Sequence, residues 1–131
     1  MLTKLTISDY MTRNVYTLKK NVNVLAAIKE MLDHKITSAP VLDDNDKLIG
    51  MFSEKDSMKV VLDAAYNQDF GGTVGEFMAT EFIRVDPDDS IVKLAEQFQS
   101  SSVRCFPVMD DVKLVGVISR TDVLKALTAV S

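Results

Sequence analysis

The chain has 131 residues, 47% of them hydrophobic and 26% charged, with a net charge of −4. A chain of this size buries roughly two-thirds of its unfolded surface, so it needs no disulfide or metal staple, and the single Cys105 rules out an internal disulfide and fits a reducing cytoplasm. The mild acidity argues against a nucleic-acid binder, and no stretch approaches ~18 apolar residues, so neither membrane spanning nor, from the N-terminus MLTKLTISDYM, export is expected.

The predicted elements then come in order. Asn23 stands where an N-cap belongs, before Val24, Ala27, Ile28, Met31 and Leu32, whose spacing puts them on one face of a helix. The apolar segment Ala39-Pro40-Val41-Leu42, the acidic turn Asp43-Asp44-Asn45-Asp46 and the apolar segment Leu48 to Phe52 predict two strands joined by a tight turn. A second helix is expected from Ser53, carrying Val60, Val61 and Ala64. The stretch Asp63 to Thr73 reads as the connection, with Gly71-Gly72 marking a flexible loop and Tyr66 and Phe70 placed to pin it to the body.

The succession then returns. Ser90 caps a helix with Ile91, Leu94, Ala95 and Phe98 on one face; Phe106-Pro107-Val108-Met109, Asp110-Asp111 and Leu114 to Ile118 repeat the hairpin; Ser119 opens a helix with Val123, Leu124 and Leu127. Met11 matches Met78, Pro40 matches Pro107 and Val41 matches Val108 at a shift of 67. After the acidic turn the second copy drops one residue, and Gly50, Ser53, Asp56 and Lys59 match Gly116, Ser119, Asp122 and Lys125 at a shift of 66. The deletion falls in a polar turn, where length changes are tolerated. The chain is therefore a duplication, each copy a strand–helix–strand–strand–helix unit. A copy of about 55 residues buries little core alone, so the two are expected to pack face to face about a pseudo-two-fold axis with equivalent clefts between them.

Several features have a plain structural reading. Ser53-x-x-Asp56 and Ser119-x-x-Asp122 are capping boxes. Pro40 and Pro107 end strand pairing, since proline has no N–H for the ladder. The acidic turns lack calcium-loop spacing and read as solvated hairpin turns, and His34 reads as a surface histidine at a helix end. Cys105, between Arg104 and Phe106, reads as a buried structural thiol. Met31, Met51 and Met58 read as core filler. One histidine, no nucleophile elbow and no Gly-rich phosphate loop leave no support for catalysis.

The repeat resembles the cystathionine β-synthase (CBS) domain, and two in tandem resemble a Bateman module. The resemblance runs from about Ser8 to Leu127. It is carried by Tyr10-Met11-Thr12 and Phe77-Met78-Ala79, by the apolar-Pro-Val strand, and by GMFSEKD (Gly50 to Asp56) and GVISRTD (Gly116 to Asp122). It implies an α/β (α+β) fold of two β-α-β-β-α repeats, 8–66 and 74–128, joined by a loop at 67–73. It also implies a free-standing cytoplasmic regulatory module with no obligatory cofactor, binding an adenosine-type ligand (AMP first, then ADP, ATP or a relative) between the repeats. By the same resemblance Asp56 and Asp122 accept the ribose diol, Ser53 and Ser119 hold phosphate at a helix start, and Ser38, Ala39, Pro40, Phe106 and Pro107 line the adenine. Thr17 contacts base or sugar. Its equivalent is Arg84, which with Arg104 and Arg120 is placed to reach phosphate, so the two sites are expected to be unequal. A homodimer through the helical faces, with the short helices supplying the apolar surface, and an unidentified protein target are implied as partners, with no nucleic acid or membrane. The alternatives are a ligand-free dimerisation module, an enzyme acting on nucleotides, and nucleic-acid binding through Arg13, Lys19, Lys20 and Lys35.

Overall fold

The computed structural model describes residues 2–130. Its elements are a 3-10 turn (Leu2–Lys4), α1 (Ile7–Tyr10), β1 (Leu18–Lys19), α2 (Val24–Asp33), β2 (Ser38–Leu42), β3 (Leu48–Ser53), α3 (Glu54–Asn67), α4 (Val74–Phe77), α5 (Ile91–Ser100), β4 (Cys105–Asp110), β5 (Lys113–Ser119) and α6 (Arg120–Val130). Both expected N-caps form: the Asn23 side chain accepts from the Ala26 N–H and that of Ser90 from the Val92 and Lys93 N–H groups. Both hairpins form too, β2 with β3 and β4 with β5, each with an irregularity at the matched position, Val41/Leu42 and Val108/Met109.

The chain divides into two compact units, and they are not the two copies taken whole. One holds residues 16–82; the other joins the segment ending at Val15 to the segment beginning at Ile83. Each opening segment therefore belongs with the hairpin of the other copy. In the first unit β1 pairs parallel with β2, Leu18 against Val41, and Ala79 bridges Met51 beyond β3. In the second, Val85 pairs parallel with Val108, and Thr12 bridges Val117 beyond β5. The first strand expected in copy two shrinks to that single bridge. Each unit has its own core, one around Val24, Val41, Phe52 and Val74, the other around Ile7, Ile91, Phe106 and Ile118.

This arrangement explains the prolines, and it corrects one expectation. Pairing does not end at Pro40 or Pro107; it continues on both sides, with Pro40 opposite Met51 and Pro107 opposite Val117. Met51 exchanges its N–H and C=O with Ala79, and Val117 exchanges its own with Thr12. These residues thus turn their polar groups away from the prolines, and no ladder donor is missed.

It explains two glycines as well. A Cβ on Gly50 would lie 2.5 Å from the Met78 sulfur and 2.9 Å from the Ala79 carbonyl; one on Gly116 would lie 2.8 Å from the Thr12 carbonyl and 2.9 Å from the Met11 sulfur. The opening methionine and the glycine of the closing pattern are two halves of one contact.

Other expectations fail at the surface. Leu32 is 70% exposed, because α2 buries the narrower arc of Val24, Ala27 and Met31. Val61, Leu124, Leu127 and Met58 are exposed too, while Val60 and Ala126 face the interior. The residues from Asp63 to Asn67 continue α3 instead of forming a loop, and Tyr66 (80% exposed) and Phe70 are not pinned to the body.

Replacing Gly50 or Gly116 by alanine forces backbone apart and should cost about 1–3 kcal/mol, whereas Gly71→Ala, with its nearest neighbour at 3.4 Å, should stay within about 0.5 kcal/mol. Urea unfolding of the three variants checks this; equal stabilities would refute the contact.

Candidate functional site

Two matched groups of side chains stand where a β-hairpin turns into a helix. In the first unit β3 ends at Ser53, opposite Ser38, and α3 follows at once. The Ser53 N–H and hydroxyl both donate to Asp56 Oδ2 at 2.9 Å, and the Asp56 N–H returns to Ser53 Oγ at 3.4 Å. In the second unit the Ser119 N–H and hydroxyl donate to Asp122 Oδ2 at 2.9 and 3.1 Å, and the Asp122 N–H returns at 3.4 Å. The carboxylates are 5% and 6% exposed, the two buried charged residues among those described. Burying a carboxylate is costly unless donors meet it, and here the cap supplies two.

The capping reading is thus realised in both copies. The serine hydroxyls point their protons at the aspartates. The first N–H of each helix is also engaged, Glu54 to the Thr37 carbonyl at 3.0 Å and Arg120 to the Arg104 carbonyl at 3.4 Å. The cap uses one carboxylate oxygen and leaves Oδ1. In the first group Oδ1 meets Lys59 Nζ at 3.2 Å, an i,i+3 pair; the matching Lys125 makes no ion pair with Asp122.

The remaining expected site residues are distributed by copy. Thr17 directly precedes β1 and is half-buried; Ala39 and Pro40 are buried within β2, with Ser38 half-buried at its start. In the second unit Arg84 precedes Val85, Arg104 precedes β4 and Arg120 opens α6, all three with exposed side chains; Phe106 and Pro107 are buried. The structure adds Thr37, Lys59 and Cys105 to these surroundings. Their signals were in the sequence: the 67-residue shift that sets Thr37 against Arg104, the i,i+3 spacing of Asp56 and Lys59, and the shift that sets Cys105 against Ser38.

Cys105 lies opposite Ser119, and burial, followed by the nearby Asp122 carboxylate, pushes its thiol up to about 12. His34 caps α2, its Nδ1 2.9 Å from the Glu30 carbonyl, and stacks on Tyr16 with ring centroids 5.6 Å apart. Burial and then Glu30 raise the Tyr16 hydroxyl to about 12. In the acidic turn the Lys47 and Asn45 N–H groups hold the Asp43 carboxylate below its ordinary value, while Lys19 pairs with Asp46. Arg13 donates to the Ser8 carbonyl at 3.0 Å, so two of the four basic residues weighed for nucleic acid have internal partners. Among the described residues no group of three or more metal-ligating side chains forms, and no helix is long and apolar enough to cross a membrane. A groove of about 520 Å³ along α5 shares no residue with either carboxylate group.

Two copies of a sheet-and-helix unit, each with a buried Ser–Asp cap behind a Gly-x-x-Ser-x-x-Asp turn, define a tandem-repeat module. The chain belongs to the CBS domain family, whose model matches residues 7–63 and 74–129. It is a mixed α+β CBS pair, and such pairs are regulatory and generally not catalytic. It superposes on CBSX2, a CBS-pair protein from Arabidopsis thaliana solved in complex with AMP, with a TM-score of 0.83 and 26% identity, covering 95% of this chain and 97% of that one. An uncharacterised 17.7 kDa protein of Acidianus ambivalens is 30% identical over 92% of this chain and 72% of its own length. The protein MJ1225 of Methanocaldococcus jannaschii is 28% identical over 92% of this chain, which spans 42% of it. Several longer relatives are matched over a quarter of their length or less.

The rise from the ordinary 9.0 to about 12 cuts the thiolate of Cys105 at pH 8 by roughly a thousandfold. Iodoacetamide should therefore label it far more slowly in the native protein than in urea. Because the folded thiol keeps a proton that the unfolded one loses, the stability it contributes is whole below pH 9 and drains away towards pH 12. Equal labelling rates in the two states would contradict the assignment.

Proposed function

We propose that the module is a sensor which binds an adenosine-type ligand, AMP being the first candidate, and signals to a partner protein or across a homodimer, without catalysing a reaction. The observation that carries this is the duplicated buried carboxylate. Each accepts its serine cap on one oxygen and keeps the other outside the cap, which suits the paired donors of a ribose diol. The AMP complex of CBSX2 supports the choice of ligand. Thr17, Ser38, Ala39 and Pro40 with Ser53 and Asp56 form one proposed group. Arg84, Arg104, Phe106, Pro107, Ser119, Arg120 and Asp122 form the other. Ligand at ~100 times its dissociation constant adds about 2.7 kcal/mol, several degrees for a domain this size.

The test is a thermal-shift screen against AMP, ADP, ATP, S-adenosylmethionine and guanine nucleotides, repeated with Asp56→Asn and Asp122→Asn. Asparagine is the informative replacement, because alanine removes a buried cap and costs about 1–2 kcal/mol by itself. An adenine-selective shift that either variant abolishes is expected; no shift with any nucleotide would sink the reading.

A ligand-free dimerisation module is the second reading. It is favoured by the exposed apolar residues of α3 (Met58, Val61, Leu62) and of α6 (Leu124, Leu127, Val130). A second copy of this chain fits both readings. Light scattering should give twice the chain mass, falling to one in Val61→Glu with Leu124→Glu. A monomer at every concentration would remove the homodimer.

A further inference from the structure

The two carboxylate groups are matched residue for residue, yet their surroundings differ in charge. In the first unit the residues flanking the group are Thr17 before β1, Thr37 before β2 and Glu54 after β3. In the second, the same three positions hold Arg84 before Val85, Arg104 before β4 and Arg120 after β5. One anion is exchanged for three cations. The parallel pairing of Val85 with Val108 sets Arg84 beside β4, and the pairing of Cys105 with Ser119 sets Arg104 and Arg120 at the end of the same hairpin. The Arg120 N–H donates to the Arg104 carbonyl at 3.4 Å, so these two backbones are in contact beside the Ser119–Asp122 cap. The carboxylates differ in their partners as well. Asp56 already meets Lys59 at 3.2 Å, and Asp122 has no ion pair among the described residues.

Resting on the sensor reading above, we infer that the second-copy group is a site for a nucleoside di- or triphosphate, while the first-copy group selects no polyphosphate. The chemistry is direct. Asp122 repels phosphate and takes the ribose hydroxyls. The guanidinium groups, which stay charged at any physiological pH and present paired donors, take the phosphate oxygens. A monophosphate offers too few oxygens to engage three guanidiniums, so affinity rises with each added phosphate. In the first copy Glu54 opposes that gain and the threonines offer single neutral donors.

Titration calorimetry with AMP, ADP, ATP and inorganic triphosphate reads this out. In the wild type, ATP should bind at least about tenfold more tightly than AMP at the site lost in Asp122→Asn, each charge-assisted contact being of that order. Inorganic triphosphate should bind at least about tenfold more weakly than ATP, since it lacks the ribose. Exchanging the arginines for their first-copy counterparts, Arg84→Thr with Arg104→Thr and Arg120→Glu, should bring the ATP and AMP affinities together. The reverse graft, Thr17→Arg with Thr37→Arg and Glu54→Arg, should create an ATP preference at the site lost in Asp56→Asn. It gives a gain of function should the first variant fold poorly. AMP bound at least as tightly as ATP, with a ratio that neither exchange moves, overturns the inference and leaves the sensor reading standing. Triphosphate binding as tight as ATP would make this a bare anion site and also overturns it. Absence of all nucleotide binding removes the sensor reading and this inference together.

Discussion

The close approach of backbone to backbone at Gly50 and Gly116 is the constraint on which the rest of each unit depends. Without a Cβ at these positions, the opening segments come near enough to exchange paired hydrogen bonds with Met51 and Val117. That extra pairing turns the polar groups of both residues outward, which lets a proline sit inside the neighbouring strand at no cost in ladder bonds. It also fixes the end of the hairpin. Two residues beyond the bridged position come Ser53 and Ser119, and a helix starts from them in a set direction. The carboxylates are thus placed by a contact made several residues earlier.

Each Asp56 and Asp122 serves the fold before it serves any ligand. A capping carboxylate that is almost wholly buried stabilises its helix whether or not a ligand is bound. Its place in the sequence therefore answers to the cap as well as to the proposed ligand. What distinguishes the copies is the layer around the cap. Thr17, Thr37 and Glu54 flank one cap, and Arg84, Arg104 and Arg120 flank the other.

The parts of this architecture legible in the sequence are those governed by local rules. N-caps at Asn23 and Ser90, hairpins around acidic turns and the Ser–Asp boxes each depend on residues within four positions of one another, and a duplicated pattern displays them twice. The exchange of opening segments was hidden for a reason of the same kind. Aligning Met11 with Met78 shows that the two segments are equivalent, and says nothing about which glycine each one meets. Periodicity likewise marks Val61, Leu124 and Leu127 as apolar, but an apolar face is buried only where something covers it. Leu32 and Tyr66 failed on a finer point, lying near helix ends where the buried arc runs out. The arginine exchange needed only the alignment, and the structure gave it meaning by setting three separate sequence positions beside one hairpin.

Because each opening segment completes the other copy's sheet, position along the chain is a poor guide to where damage is felt. A lesion at Met11 or Thr12 strips the edge from β5 and loosens the seat of Asp122, more than a hundred residues downstream. A lesion at Met78 or Ala79 reaches back to Asp56. A copy lifted out by its sequence boundaries would carry an edge strand made for its twin and lack the one made for itself. The duplication has become a mutual dependence, and neither half is a spare.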